Sequence, residues 1–278
     1  MIAIRRMTLV DLPLGLRLSQ QAGWNQTEAD WRRLLDMEPQ GCFVGELDAV
    51  SVGTTTTCIF GSVAWVAMVL VDVNARRKGV ATALLEHVLD FLEGRAVRSV
   101  RLDATAAGQR VYEKIGFEPQ YALTRYEGRP ANARTPGQVT PATAEVLAKI
   151  VELDFRVTGT YREKMLARLF EEAPEATHVV HEGGELRGFV ACRRGANATQ
   201  IGPCLAEPAA GRVLLEHAMS RYAGRSVFID VPRDNAPAVE TVEAAGLRVQ
   251  RHFMRMVRGE PVSDNVSFLW ASSGPEKG

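Results

Sequence analysis

Between Val80 and Glu93, apolar side chains recur at Ala81, Leu84, Leu85, Val88, Leu89 and Leu92. That spacing of three and four residues marks one buried helical face, and Gly94 ends the helix. Just upstream, Val63 to Val71 is an almost unbroken apolar run, which predicts a central buried strand. Cys42 to Leu47 and Val50 to Phe60 predict a hairpin turning at Asp48-Ala49. Before it come a strand, Ile2 to Met7, and two helices. Thr8 and Asp11 open the first, Leu12 to Gln21, and Thr27 and Asp30 open the second, which runs to Met37. After the long helix, Val97 to Ala104 reads as a strand and Gln109 to Ile115 as a short helix closed by Gly116. Phe117 to Glu127 reads as one or two antiparallel strands. An antiparallel start followed by a strand–helix–strand crossover predicts an α/β fold built on a mixed sheet (α+β in its antiparallel part).

The stretch from Gly128 to Gly137 is rich in Gly, Pro and Ala and has the composition of a linker. Beyond it the plan restarts. Leu84-Leu85-Glu86-His87 is echoed by Leu214-Leu215-Glu216-His217, Asp103 by Asp230, Gly116-Phe117 by Gly246-Leu247, and Arg125 by Arg255. Several echoes at nearly one offset point to two tandem domains of one fold. The expected division is a first domain at 1–129, a linker at 130–138, a second domain at 139–270, and a disordered tail at 271–278.

A chain of 278 residues has the length of about two domains. Zero formal net charge argues against a nucleic-acid surface. Cys42, Cys58, Cys192 and Cys204 lack metal-ligand spacing and read as small buried apolar residues, and His178 and His181 have no cysteine partner, so no metal is expected. No apolar run is long enough to span a bilayer, and a cytoplasmic protein with no membrane partner is the default expectation.

The central strand runs into Asp72 to Gly79, where Arg76, Arg77 and Lys78 are followed by glycine and the long helix begins. A glycine that admits close backbone approach, free N–H groups and a positive helix end suit a pyrophosphate. The spacing resembles the acyl-CoA-binding motif of the GNAT (GCN5-related N-acetyltransferase) superfamily, a strand followed by Arg/Gln-x-x-Gly-x-Gly/Ala and a helix. Arg76, Gly79 and Ala81 match its three fixed positions, while Val73 departs from a frequent proline. The resemblance implies that Val69, Leu70 and Val71 meet the acyl and pantetheine portion of acetyl-CoA. It also implies that the N–H groups of Arg77, Lys78, Gly79, Val80, Ala81 and Thr82 meet the pyrophosphate. A second motif, Thr105-x-x-Gly108-x-x-x-Tyr112-x-x-x-Gly116-Phe117, resembles the family's Asn-x-x-Ala-x-x-x-Tyr-x-x-x-Gly-Phe. It implies that the Tyr112 hydroxyl lies near the thioester sulfur as the general acid. Thr105 for Asn and Gly108 for Ala are departures expected to weaken contacts to the pantetheine arm. For the general base the candidates are Asp72, Asp103 or a water relay. Trp24 and Trp31 read either as an acceptor wall or as core.

The second half reverses the pattern. Pro203 to Gly211 stands where the first half has its cationic loop, and there Glu207 would repel phosphate and Pro208 lacks an N–H. Asn235-x-x-Ala238-x-x-x-Val242 keeps the structural residues but puts valine at the tyrosine position. The resemblance therefore implies two tandem GNAT-like domains, an active first one and a second one degenerate for transfer. The expected function is transfer of an acetyl group from acetyl-CoA to a primary amine of a small molecule, by direct attack in a ternary complex. The chain is expected to be a monomer or homodimer. Alternatives are acetylation of a protein N-terminus or lysine, and a non-enzymatic acetyl-CoA-binding regulator.

Overall fold

The computed structural model describes residues 1–131 and 139–278. Most of the expected linker, residues 132–138, lies outside the described residues. The first half runs β1 (Ile2–Arg6), α1 (Leu12–Gln21), α2 (Glu28–Met37), β2 (Cys42–Leu47), β3 (Val50–Phe60) and β4 (Val63–Val71). It continues with α3 (Val80–Glu93), β5 (Ser99–Thr105), α4 (Ala106–Lys114) and β6 (Glu118–Gly128). The second half repeats that order as β7 (Val139–Pro141), α5 (Leu147–Thr158), α6 (Glu163–Glu172), β8 (Thr177–Glu182), β9 (Glu185–Arg193) and β10 (Thr199–Ala206). There follow α7 (Pro208–Arg221), β11 (Val227–Pro232), α8 (Ala236–Ala244), β12 (Arg248–Gly259) and one extra strand, β13 (Leu269–Ala271).

All thirteen strands of the described residues form one sheet, in the order β1-β2-β3-β4-β5-β12-β6-β11-β10-β9-β8-β7, with β13 attached to β10. The two halves exchange their last strands. β12 of the second half lies against β5 of the first, and β6 of the first lies against β11 of the second. Chain boundaries at 129 and 139 therefore do not divide the sheet into two self-contained parts.

Buried ion pairs pin the exchange. Arg255 on β12 grips Asp103 on β5 with two contacts of 2.9 Å, and Arg125 on β6 grips Asp230 on β11 at 2.7 and 2.8 Å. The residues echoed in the sequence thus pair crosswise between halves. Arg255 also reaches Asp264 at 3.0 Å and the Tyr121 hydroxyl at 2.7 Å, and Asp264 is held bidentately by Arg101. Bidentate geometry of this kind is what makes an ion pair tolerable in a dry interior.

One face of the sheet carries α1, α2, α5 and α6 over a core shared by both halves, including Trp31, Leu34, Ile150 and Leu166. The other face carries two separate cores, one under α3 and one under α7 and α8. The predicted apolar stripe of α3 is buried at Val80, Leu84, Leu85, Val88, Leu89 and Leu92. Each such side chain contributes roughly 1.5–3 kcal/mol. Trp31 is fully buried, with its indole N–H donating to Ser19 at 3.2 Å, so it belongs to the core. All four cysteines are buried free thiols.

The expected disordered tail is instead built into the molecule. Ala271, Ser272, Ser273, Glu276 and Lys277 are all buried. They are ordered because they complete backbone and ionic pairings that other segments leave open.

Candidate active site

β4 and β5 run parallel, but they pair only where Val63–Trp65 meets Ser99–Arg101. Beyond that point they splay, and the facing edges of Val66–Val71 and Leu102–Thr105 share no ladder bonds. A bulge helps to open the gap. Met68 takes φ 51, a left-handed conformation costly for a side-chain-bearing residue, where the β3–β4 register shifts. Two threonine hydroxyls of β3 hold it, Thr54 donating to the Met68 carbonyl at 2.9 Å and Thr55 to that of Ala67 at 3.4 Å. Both hydroxyls come from the run Thr54 to Thr57, which the sequence pattern alone did not single out. Val69, Leu70 and Val71 thus lie on an exposed ladder edge that an extended ligand can pair with.

The strand leads into a loop and then α3. Arg77 and Gly79 adopt positive φ, 61 and 84, and Gly79 caps the helix. The backbone N–H groups of Arg77 to Thr82 donate to no described residue, as expected of a helix start. Arg76, Arg77 and Lys78 are exposed around them. Arg76 also donates to the Val71 carbonyl at 3.2 Å, which ties the loop to the strand end. Unpaired amides, three cations and a helix N-terminus form a cradle that fits a pyrophosphate. Among the described residues no cluster suits a metal ion.

Thr105 caps α4 by accepting from the Gly108 N–H at 3.4 Å, and α4 begins at Ala106, three residues earlier than the sequence pattern suggested. In the second half Asn235 accepts from Ala238 N–H at 3.2 Å in the same way. Thr105 is thus a working substitute for Asn as a cap. The Gly108 departure has a steric reason: a Cβ there would approach the Tyr112 ring to 2.9 Å. Tyr112 packs edge-on against Phe117 and lines the cleft, and its hydroxyl bonds to no described residue. Burial pushes its pKa up to about 12.

The cleft spans about 490 Å³ of space that includes open solvent. Its walls come from both halves. Trp24 and Gln26 enter from the segment between α1 and α2, Arg251 and Phe253 from β12, and Pro275 and Glu276 from the C-terminal segment. The last four went unnoticed in the sequence, because only the strand exchange and the ordered tail bring them here.

Neither carboxylate considered as a base is free. Asp72 accepts from the Asn74 N–H at 3.0 Å and pairs with Arg17, contacts that hold its pKa below the usual range. Asp103 lines the cleft but is locked to Arg255. Glu276 is likewise engaged, by Arg193 at 2.6 Å, by Lys277 and by Gln26 at 3.0 Å.

The corresponding gap in the second half is filled by the chain itself. β10 and β11 pair only over Thr199–Ile201 and Val227–Ile229, then splay. β13 enters the gap antiparallel to β10, and the Ser272 N–H donates to the Asp230 carbonyl of β11 at 2.8 Å. A Cβ on Gly211 would collide with the Trp270 indole, and one on Gly202 with the Ser272 carbonyl. The loop expected at Pro203 to Gly211 does not exist. Residues through Ala206 stay in β10, and α7 begins at Pro208. Glu207 pairs with Arg187 at 3.0 Å. Val242, at the tyrosine position, is buried in the core.

Two family models match the chain. Residues 13–117 match the acetyltransferase (GNAT) family and residues 150–271 an acetyltransferase (GNAT) domain. The holothin acyltransferase of Pseudoalteromonas sp. (strain SANK 73390) is 25% identical over 241 residues, covering 85% of this chain and 81% of its own. The "uncharacterized N-acetyltransferase YitH" of Bacillus subtilis (strain 168) is 23% identical over 229 residues, covering 79% and 78%. A crystal structure from Pyrococcus horikoshii superposes with a TM-score of 0.86 at 22% identity, covering 100% of this chain and 96% of that one, a likeness of fold.

Proposed function

Because the chain belongs to the GNAT family of acetyltransferases and carries two of its domains in tandem, we propose that its first half performs the transfer while its second half completes the acceptor site. The chain is an N-acetyltransferase. In the proposed reaction the cosubstrate is acetyl-CoA and the acceptor a primary amine of a small molecule. Acetyl-CoA supplies a thioester whose leaving group is a thiolate. The amides of Arg77 to Thr82 bind the pyrophosphate, with Arg76 and Lys78 adding charge. The free edge at Val69 to Val71 orients the acyl end. Tyr112 holds a proton for the departing sulfur, and its raised pKa keeps that proton in place at any physiological pH. With Asp72, Asp103 and Glu276 all tied into ion pairs, the amine loses its proton through water.

The contrast between the two clefts carries this reading. The first is open, rimmed by unpaired amides and lined by Tyr112. The second is filled by β13 and has valine in place of the tyrosine. A site roofed by Pro275 and Glu276 and walled by Trp24 and Phe253 favours a small acceptor over a peptide. Tyr112→Phe tests the assignment. Turnover should fall about 10²-fold, the low end for a general acid acting on a good leaving group, with acetyl-CoA Kd within about twofold of wild type. Wild-type turnover in the variant, with chemistry rate-limiting, would remove Tyr112 from the mechanism.

A further inference from the structure

Strand alternation puts Arg251, Phe253 and Arg255 on one face of β12, while Met254 and Met256 join the α3 core on the other. Arg251 and Phe253 of that face line the cleft, with Trp24, Gln26 and Glu276. Each other charge lining that cleft has an internal partner. Asp103 pairs with Arg255, Arg125 with Asp230, and Glu276 with Arg193 and Lys277. Arg251 forms no ion pair with any described residue. Its Nε donates to Gln250 Oε1 at 2.7 Å, and its two terminal nitrogens have no described partner. It is half-buried beside Arg125, and burial together with that like charge lowers its pKa against the opposing pull of Asp230 and Glu127, neither of which pairs with it directly. A half-buried guanidinium that faces a cleft with no ion-pair partner is placed to take an anion.

A second demand lies in the same cleft. Gln26 Nε2 donates to Glu276 Oε2 at 3.0 Å, which fixes the amide orientation because a carboxylate only accepts. Gln26 Oε1 is then left buried with no donor. Buried carbonyl oxygens are seldom left so, and a ligand N–H would satisfy it.

We propose that the acceptor is an amine that also carries a carboxylate: Arg251 binds the carboxylate, and Gln26 Oε1 accepts an N–H from the same molecule. Trp24, Phe253 and Pro275 cover its apolar body. The inference rests on reading this cleft as the acceptor site of the acetyltransferase. It assigns Arg251 to specificity and leaves the chemistry to other groups.

The test uses the full chain, acetyl-CoA and thiol release. Matched pairs of aliphatic and aromatic amino carboxylates are compared with their primary amides. The carboxylate member should show a kcat/KM about 10- to 100-fold above its amide, the effect of one charge-assisted contact. Arg251→Met should shrink that preference to about threefold or less by raising KM, with Arg251→Lys recovering part of it. Amides that match or exceed the carboxylates would overturn the proposal, as would a preference retained in Arg251→Met. So would a panel with no acetylated member in protein that binds acetyl-CoA. Failure of acetyl-CoA itself to bind, measured by calorimetry, would strike at the proposed function instead, so the two failures are distinguishable.

Discussion

Asp103 belongs to the first half of the sequence, yet its partner, Arg255, arrives from the second. Changing Asp103 to Asn keeps the volume and removes one charge from a buried cluster of two carboxylates and two guanidinium groups, Asp103, Asp264, Arg101 and Arg255. The cluster is then left with one uncompensated positive charge. Breaking a buried pair in this way typically costs about 3–5 kcal/mol. Arg255 keeps Asp264 at 3.0 Å and Tyr121 at 2.7 Å, so the lower end, about 3 kcal/mol, is expected. Because β12 is shared between halves, the loss should not stay local. Urea unfolding followed by hydrogen exchange should show protection falling together in β5 and in β10–β11. The double change Asp103→Leu with Arg255→Met removes both charges and should cost less than Asp103→Asn alone. A single variant within about 1 kcal/mol of wild type would refute the reasoning. So would a first half that loses protection while the second keeps it.

Three further outcomes are expected. Gly79→Asp places a side chain at φ 84 and a carboxylate among the pyrophosphate amides, so calorimetry should find acetyl-CoA binding at least about 10-fold weaker in a folded protein. Asp264 is buried, which alone would raise its pKa, but Arg101 and Arg255 pull it down to about 2. A carboxylate depressed in the folded state adds stability that is full above about pH 4 and is lost as pH falls toward 2, so the urea midpoint should drop across that window in wild type and less in Asp264→Asn. Finally, Arg17 and the Asn74 N–H hold Asp72 ionised, while Arg193 and Lys277 hold Glu276 ionised against its burial. The rising limb of kcat/KM with pH should therefore follow the acceptor's own amine, shifting between two acceptors whose ammonium pKa values differ. A limb fixed in position for both would indicate an enzyme base.

Much of the first half was legible in the sequence because its signals are local. The α3 stripe, the Thr27–Asp30 cap and the hairpin at Asp48-Ala49 each follow from a few neighbouring residues. The repeat was legible too, including the echoes Asp103–Asp230 and Arg125–Arg255. Which arginine meets which aspartate was not, since each aspartate is an equally good partner and strand pairing is decided by long-range packing. The tail failed for a related reason. Ser272, Ser273 and Glu276 look like solvated residues until the β10–β11 gap and Arg193 are in place to receive them. Arg251 and Gln26 carried no motif and emerge only because the fold brings a cation without an ion-pair partner and a buried amide oxygen without a donor to one cleft.

The central claim is one working cleft in a chain with two copies of the domain. The most direct measurement is calorimetric titration of the full chain with acetyl-CoA, followed by a crystal structure of the complex. One molecule per chain, with pyrophosphate on Arg77 to Thr82 and β13 still seated on β10, is the predicted result. Two equivalent sites, or acetyl-CoA between β10 and β11 with β13 displaced, would contradict the account.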